Sequence, residues 1–186
     1  MSKHKFPREA ALKVARALCL KMADCTLRLE LAGSLRRGKP LVGDIEIVYI
    51  PDFVTEPDGL FDMVKVNRVD RVLADLLAAG EIAKRKNVLG SEIWGSQNKL
   101  AVHVASGIPI DFFSTTEDAW FNYLVCLTGG AESNMRIASA AKARGWKWQL
   151  NGEGFTDELG QTRRVTSERA VFELVGLRYI EPHQRP

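Results

Sequence analysis

Two acidic residues inside an otherwise apolar run, Asp44-Ile45-Glu46-Ile47-Val48-Tyr49-Ile50, limit what this chain can become. Ile45, Ile47 and Tyr49 alternate with Asp44, Glu46 and Val48, the period of a β-strand. Side chains two apart on a strand share a face and stand about 6.6 Å apart along it, so Asp44 and Glu46 can reach one ion or an adjacent pair. The same alternation also suits acids that only line a solvated strand face. A few residues upstream, Leu31-Ala32-Gly33-Ser34-Leu35-Arg36-Arg37-Gly38 reads as a short helix entered at Gly33-Ser34. A helix start offers N–H groups and a positive dipole end to an anion. Ser34, Arg36 and Arg37 add a hydroxyl and guanidinium forks suited to phosphate.

A third carboxylate lies in Pro109-Ile110-Asp111-Phe112-Phe113. An ionised group in such an apolar strand is costly unless paired or bound to metal. If this strand lies beside the Asp44 strand, three oxygen ligands converge. Oxygen donors without His or Cys favour magnesium or manganese over zinc. Two such ions, about 4 Å apart, can activate an attacking hydroxyl and stabilise the leaving phosphate.

Periodicity predicts a helix over Pro7–Ala23 and a strand over Thr26–Ala32 with Leu27, Leu29 and Leu31 on one face. Pro51–Gly59 reads as a loop, and Asn67–Ala79 as a helix closed by Gly80. Strands are expected at Ile82–Lys86, Leu100–Val104 and Ile108–Phe113, the last two joined at Ala105-Ser106-Gly107. Helices follow at Trp120–Leu127 and Glu132–Arg144, then a small sheet beginning with Trp146–Leu150. A final helix is capped by Ser167 and ends at Gly176. His103 and at least one of Trp146 and Trp148 are expected to serve packing. Lys84-Arg85-Lys86 suits a phosphate backbone or a solvated turn equally.

Net charge is +3 but uneven: residues 1–50 carry 10 Lys/Arg against 5 Asp/Glu, residues 51–118 carry 7 against 11, and residues 119–186 carry 9 against 7. That permits contact with a polyanion without demanding it. Cys19, Cys25 and Cys126 form no Cys-x-x-Cys pair, which argues against zinc and disulfides and fits a reducing cytosol. No apolar run is long enough to span a membrane, and no apolar segment of a signal peptide follows the basic N-terminus. A cytoplasmic monomer is expected.

Taken together these segments resemble DNA polymerase family X, the DNA polymerase beta group within the nucleotidyltransferase superfamily. Gly33-Ser34-Leu35-Arg36-Arg37-Gly38 matches its Gly-Ser-x-Arg-Arg-Gly motif, and Gly43-Asp44-Ile45-Glu46 stands where the family has Gly-Asp-x-Asp. Ile110-Asp111-Phe112-Phe113 is similar to the strand with the third catalytic aspartate. Leu127-Thr128-Gly129-Gly130 resembles its Phe-Thr-Gly-Ser segment, and Asn134 falls on the asparagine that faces the incoming base. Thr166–Arg169 and Arg178–Pro182 resemble its C-terminal helix and tail. The resemblance implies that Asp44, Glu46 and Asp111 are the catalytic residues and bind two Mg2+ or Mn2+ ions. It implies nucleotide contacts at Gly33, Ser34, Arg37, Gly43, Gly129 and Asn134, a sugar gate at Cys126 and Leu127, and nucleic-acid contacts at Arg36, Lys39 and Arg136.

Three departures shape the expectation. Glu46 replaces the usual aspartate, which moves the carboxylate by up to about 1.5 Å and shifts metal preference towards manganese. Cys126-Leu127 replaces two bulky rings beside the sugar, which weakens discrimination against ribonucleotides. No lyase domain precedes the matching region, so a minimal form without deoxyribose-phosphate lyase activity is expected.

The fold expected is a two-lobe α/β (α+β) chain: a nucleotidyltransferase palm with a mixed sheet and flanking helices over 1–115, and a small α+β nucleotide-selecting subdomain over 116–186. The activity expected is transfer of a nucleotide from a nucleoside triphosphate to a nucleic-acid 3′-hydroxyl, with DNA favoured, in gap filling or repair. The alternatives are transfer to RNA, protein or a small molecule, and a catalytically weak module that binds DNA or nucleotide.

Overall fold

The computed structural model describes residues 4–58 and 62–186. Two compact units emerge, one made of residues 1–31 and 42–114 and the other of 32–41 and 115–186. Segment 32–41, which the sequence reading grouped with the N-terminal lobe, clusters with the C-terminal residues.

In the first unit, the short strand Phe6–Pro7 (β1) leads into helix Arg8–Met22 (α1). Pro7 enters the helix where a missing N–H costs nothing. Ala11, Ala15, Leu18 and Met22 are buried at three- and four-residue spacing. Strand Thr26–Leu31 (β2) follows. The register slips between Thr26 and Arg28, so Leu27 sits in a bulge and is 67% exposed. The expected apolar face of Leu27, Leu29 and Leu31 is therefore broken at its first member.

After helix Gly33–Arg36 (α2) and strand Leu41–Val42 (β3), strand Ile45–Pro51 (β4) pairs antiparallel with β2. The stretch expected as a loop after Pro51 is instead the first arm of a hairpin: Phe53–Asp58 (β5) pairs with Asp62–Asn67 (β6). Its Pro and Asp residues mimic a loop in composition, but Phe53-Val54-Thr55 keeps strand propensity and Val54 finds a partner in Val66. Gly59 lies outside the described residues.

Helix Arg68–Ala78 (α3) begins where the Asn67 side chain accepts the Val69 N–H. It ends before Gly80, whose φ of 69° is the left-handed stop the sequence predicts. Strands Ile82–Lys84 (β7), Asn98–His103 (β8) and Pro109–Ser114 (β9) complete a five-stranded mixed sheet in the order β2-β4-β9-β8-β7. Only the β4–β9 pair in it is parallel. Ile45, Ile47, Tyr49, Ile110 and Phe112 are fully buried.

In the second unit, helices Trp120–Thr128 (α4) and Ala131–Lys142 (α5) meet at Gly129-Gly130. Lys147–Trp148 (β10), Gly154–Thr156 (β11) and Thr162–Arg164 (β12) form a three-stranded antiparallel sheet. Helix Glu168–Glu173 (α6) is capped by Ser167, whose hydroxyl accepts the Ala170 N–H. Val125, Ile137, Ala141, Trp148, Phe155, Val165, Val171 and Phe172 build its core. Trp148 is 7% exposed and Trp146 packs against this core. His103, in the first unit, has its Nδ1 2.8 Å from the Ser106 hydroxyl.

Candidate functional site

The parallel pairing of β4 with β9 sets Glu46 directly opposite Asp111, one strand spacing (about 4.8 Å) away. In-register neighbours in a sheet project to the same face. Ile45 with Ile110 and Ile47 with Phe112 fill the opposite, apolar face. The two carboxylates are therefore carried on a rigid, well-buried platform, themselves half-buried.

Among the described residues, no three His, Cys, Asp or Glu side chains are grouped as a metal site, which corrects the expected convergence of three carboxylates. Two features of these carboxylates stand out. Asp44 precedes the first residue of β4, so the strict alternation of the strand does not govern it. The Asp111 carboxylate is occupied: its Oδ1 accepts a hydrogen bond from Nη2 of Arg85, in an ion pair whose side chains are 26% and 16% exposed. By donor type and register, Glu46 and Asp111 still suit a hard divalent cation.

The Gly-Ser turn belongs to the other unit. Gly33 opens α2 at φ 59°, a left-handed conformation that disfavours any side chain there. The helix is a single turn, in which Arg36 N–H donates to Ala32 O and Arg37 N–H to Gly33 O. Ser34 is half-buried and Lys39 exposed.

The two arginines do something the sequence did not disclose. Arg36 grips Glu168 in a fork, Nη2 to Oε1 at 2.6 Å and Nη1 to Oε2 at 2.9 Å, and Nη1 also donates to Thr128 Oγ1 at 3.0 Å. Arg37 Nη1 donates to the Thr128 carbonyl. Arg36, expected on a nucleic-acid surface, is thus spent inside its own unit, at 18% exposure. Fully buried Arg185 adds a second cation to Glu168, at 2.9 Å, and stacks on Phe172 and Tyr179. Burial pushes the Glu168 carboxyl up, but the bonds and charges of Arg36 and Arg185 outweigh it and hold the group below the usual glutamate value.

Asn134 donates its amide N–H to the Cys126 carbonyl at 2.7 Å. A Cβ on Gly129 would stand 2.5 Å from Asn134 Oδ1, so glycine is what lets this contact form. Cys126, Leu127 and Gly129 are half-buried, and Arg136 is exposed on α5. Sequence reasoning missed Arg85, Glu168 and Arg185 as site-shaping residues. Only the basic run Lys84-Arg85-Lys86 carried a signal, and it did not specify a carboxylate partner.

Residues 123–186 match the family model described as DNA polymerase beta thumb. Over 184 residues, 97% of this chain, it is 27% identical to DNA polymerase/3'-5' exonuclease PolX of Bacillus subtilis strain 168. It is 26% identical over 172 residues to DNA polymerase lambda of Rattus norvegicus, covering 82% of this chain. The chain is a relative of the family X DNA polymerases. It spans about 28% of the length of each of these curated relatives. Among the described residues no helix is long and apolar enough to cross a membrane.

Proposed function

We propose that this family X relative transfers a nucleotide from a nucleoside triphosphate to the 3′-hydroxyl of a nucleic acid, with DNA the favoured acceptor, and depends on divalent cations. The observation that carries the reading is the in-register pair Glu46 and Asp111 on adjacent parallel strands. The names of both relatives, a DNA polymerase/exonuclease and a DNA polymerase, support the choice of reaction.

In this reading Glu46 and Asp111 hold the cation, Mg2+ or Mn2+. The cation supplies Lewis acidity towards the attacking hydroxyl and the departing pyrophosphate. The remaining work falls to the chain. Gly33, Ser34, Arg37 and Gly43 take the triphosphate. Arg36 holds α2 against α4 through Thr128 and against α6 through Glu168, which fixes the turn that carries Ser34. Asn134, through the Cys126 carbonyl, fixes the backbone on the sugar side, with Leu127 and Gly129 beside it. Lys39 and Arg136, both exposed, meet the nucleic-acid backbone. The N-terminal unit acts as palm and the C-terminal unit as nucleotide-selecting subdomain.

Extension of a labelled primer, with and without template, tests this. Wild type extends the primer and releases pyrophosphate, and Asp111→Ala loses at least about 10³-fold in rate, some 4 kcal/mol of barrier. Activity unchanged by Asp111→Ala ends the proposal. The same assay reports sugar selection: with no ring at Cys126 or Leu127, the deoxy-over-ribo preference stays below about 10³.

A further inference from the structure

The cation already present at Asp111 is Arg85. Its place is set by the sheet. Arg85 follows β7, the edge strand, and its N–H donates to the Leu100 carbonyl at 3.0 Å. Leu100 on β8 is the register partner of Asp111 on β9. Arg85 and Asp111 therefore flank β8 at one level, roughly two strand spacings apart. The long guanidinium arm crosses Leu100 to reach the carboxylate. The neighbouring cation is committed elsewhere: Lys84 Nζ pairs with Glu92 at 2.9 Å. Arg85 does not sit perfectly where it is, since its Nε is buried without a hydrogen-bond partner.

We propose that Arg85 is a positioning residue that stands in for the divalent cation at Asp111, so that guanidinium and metal ion compete for one carboxylate. The inference rests on the reading of Glu46 and Asp111 as the cation site. Without a metal ion, two carboxylates one strand spacing apart repel, and Arg85 offsets that repulsion. A divalent ion brings a larger charge to the same oxygens, and a guanidinium beside it is then repelled. Arg85 can leave because it hangs from the edge strand, where one side of β7 carries no neighbour in this sheet. Binding thus requires the ion to displace Arg85, which weakens ion affinity and keeps Asp111 oriented while the ion is away.

The test is titration of the full chain with Mn2+ followed by electron paramagnetic resonance. Arg85→Gln removes the competitor and tightens Mn2+ binding at least about fivefold, the low end of the coupling seen between interacting sites. Arg85→Lys, which keeps a cation, stays nearer to wild type. In an Asp111→Asn background the Arg85→Gln effect vanishes. An Arg85 that serves structure alone predicts the opposite, equal or weaker binding in Arg85→Gln, and that result overturns the inference. So does failure of wild type and Arg85→Gln alike to bind at millimolar Mn2+.

If Arg85→Gln does not fold, wild type decides. The Arg85 Nε–H resonance moves saturably on Mg2+ titration if the ion displaces it, and a resonance that stays put counts against displacement. Primer extension by wild type, run in parallel, separates the two claims. Extension with an unmoved Mn2+ affinity rejects only the role of Arg85, and a moved affinity without extension rejects only the proposed reaction.

Discussion

Asn122 shows what a single polar residue does in the C-terminal unit. It is fully buried, yet its amide is satisfied at both ends. Nδ2 donates to the Gln149 and Gly152 carbonyls at 2.7 and 2.8 Å, and Oδ1 accepts from Trp148 Nε1 at 2.6 Å. It ties α4 to the turn after β10. Asn122→Ala strands several buried polar groups at once and should cost more than about 2 kcal/mol. Urea unfolding should show this as a lowered midpoint at an unchanged slope. Glu46 carries a prediction of a different kind. Its extra methylene alters where the carboxylate reaches, so manganese should support nucleotide transfer better than magnesium, and Glu46→Asp should move the preference back. Steady-state rates in each metal check this, and equal or better rates with magnesium in wild type refute it.

Elements in the C-terminal unit are held by charge as well as by apolar packing. Glu168 at the start of α6 joins Arg36 of α2 and Arg185 of the tail. Its folded pKa lies below the ordinary value. The ionised form is therefore favoured by folding. Its contribution is full above the usual glutamate range and is lost as pH falls through the lowered folded value. Glu168→Gln should destabilise the chain by about 1–3 kcal/mol at neutral pH. It should also flatten the loss of stability on acidification, read from urea unfolding at pH values from 7 down to 3. Element boundaries themselves were largely legible, because caps and periodicity are local. Asn67, Gly80, Ser167 and Gly176 mark helix ends where the structure has them. The exceptions were not local. The bulge that exposes Leu27 and the β5–β6 hairpin both turn on pairing partners, which one segment's pattern does not name.

Across the whole chain, the net charge of +3 divides unevenly between the units. The C-terminal unit holds 12 Lys/Arg against 9 Asp/Glu, and the N-terminal unit holds 14 of each. A modest excess on one unit supports a weak, salt-sensitive grip on a polyanion. Raising salt from about 50 to 200 mM should weaken DNA binding at least roughly tenfold, as a few phosphate contacts release their counterions. Fluorescence anisotropy of a labelled duplex measures it, and an affinity indifferent to salt contradicts a charge-led contact.

Residues near one another in the chain settled much of this protein without reference to its fold. The period of Ile45 to Ile50 requires a strand, and Gly33-Ser34 marks a turn before it. Which distant residue faces each of these was decided by folding alone. Glu46 meets Asp111 because β4 and β9 pair in one register, and Arg85 reaches Asp111 because β8 lies between them. Arg36 closes on Glu168 rather than on solvent for the same kind of reason. Periodicity and capping act over a few residues, whereas strand order and ion pairing depend on which surfaces bury each other, and that is a property of the assembled chain.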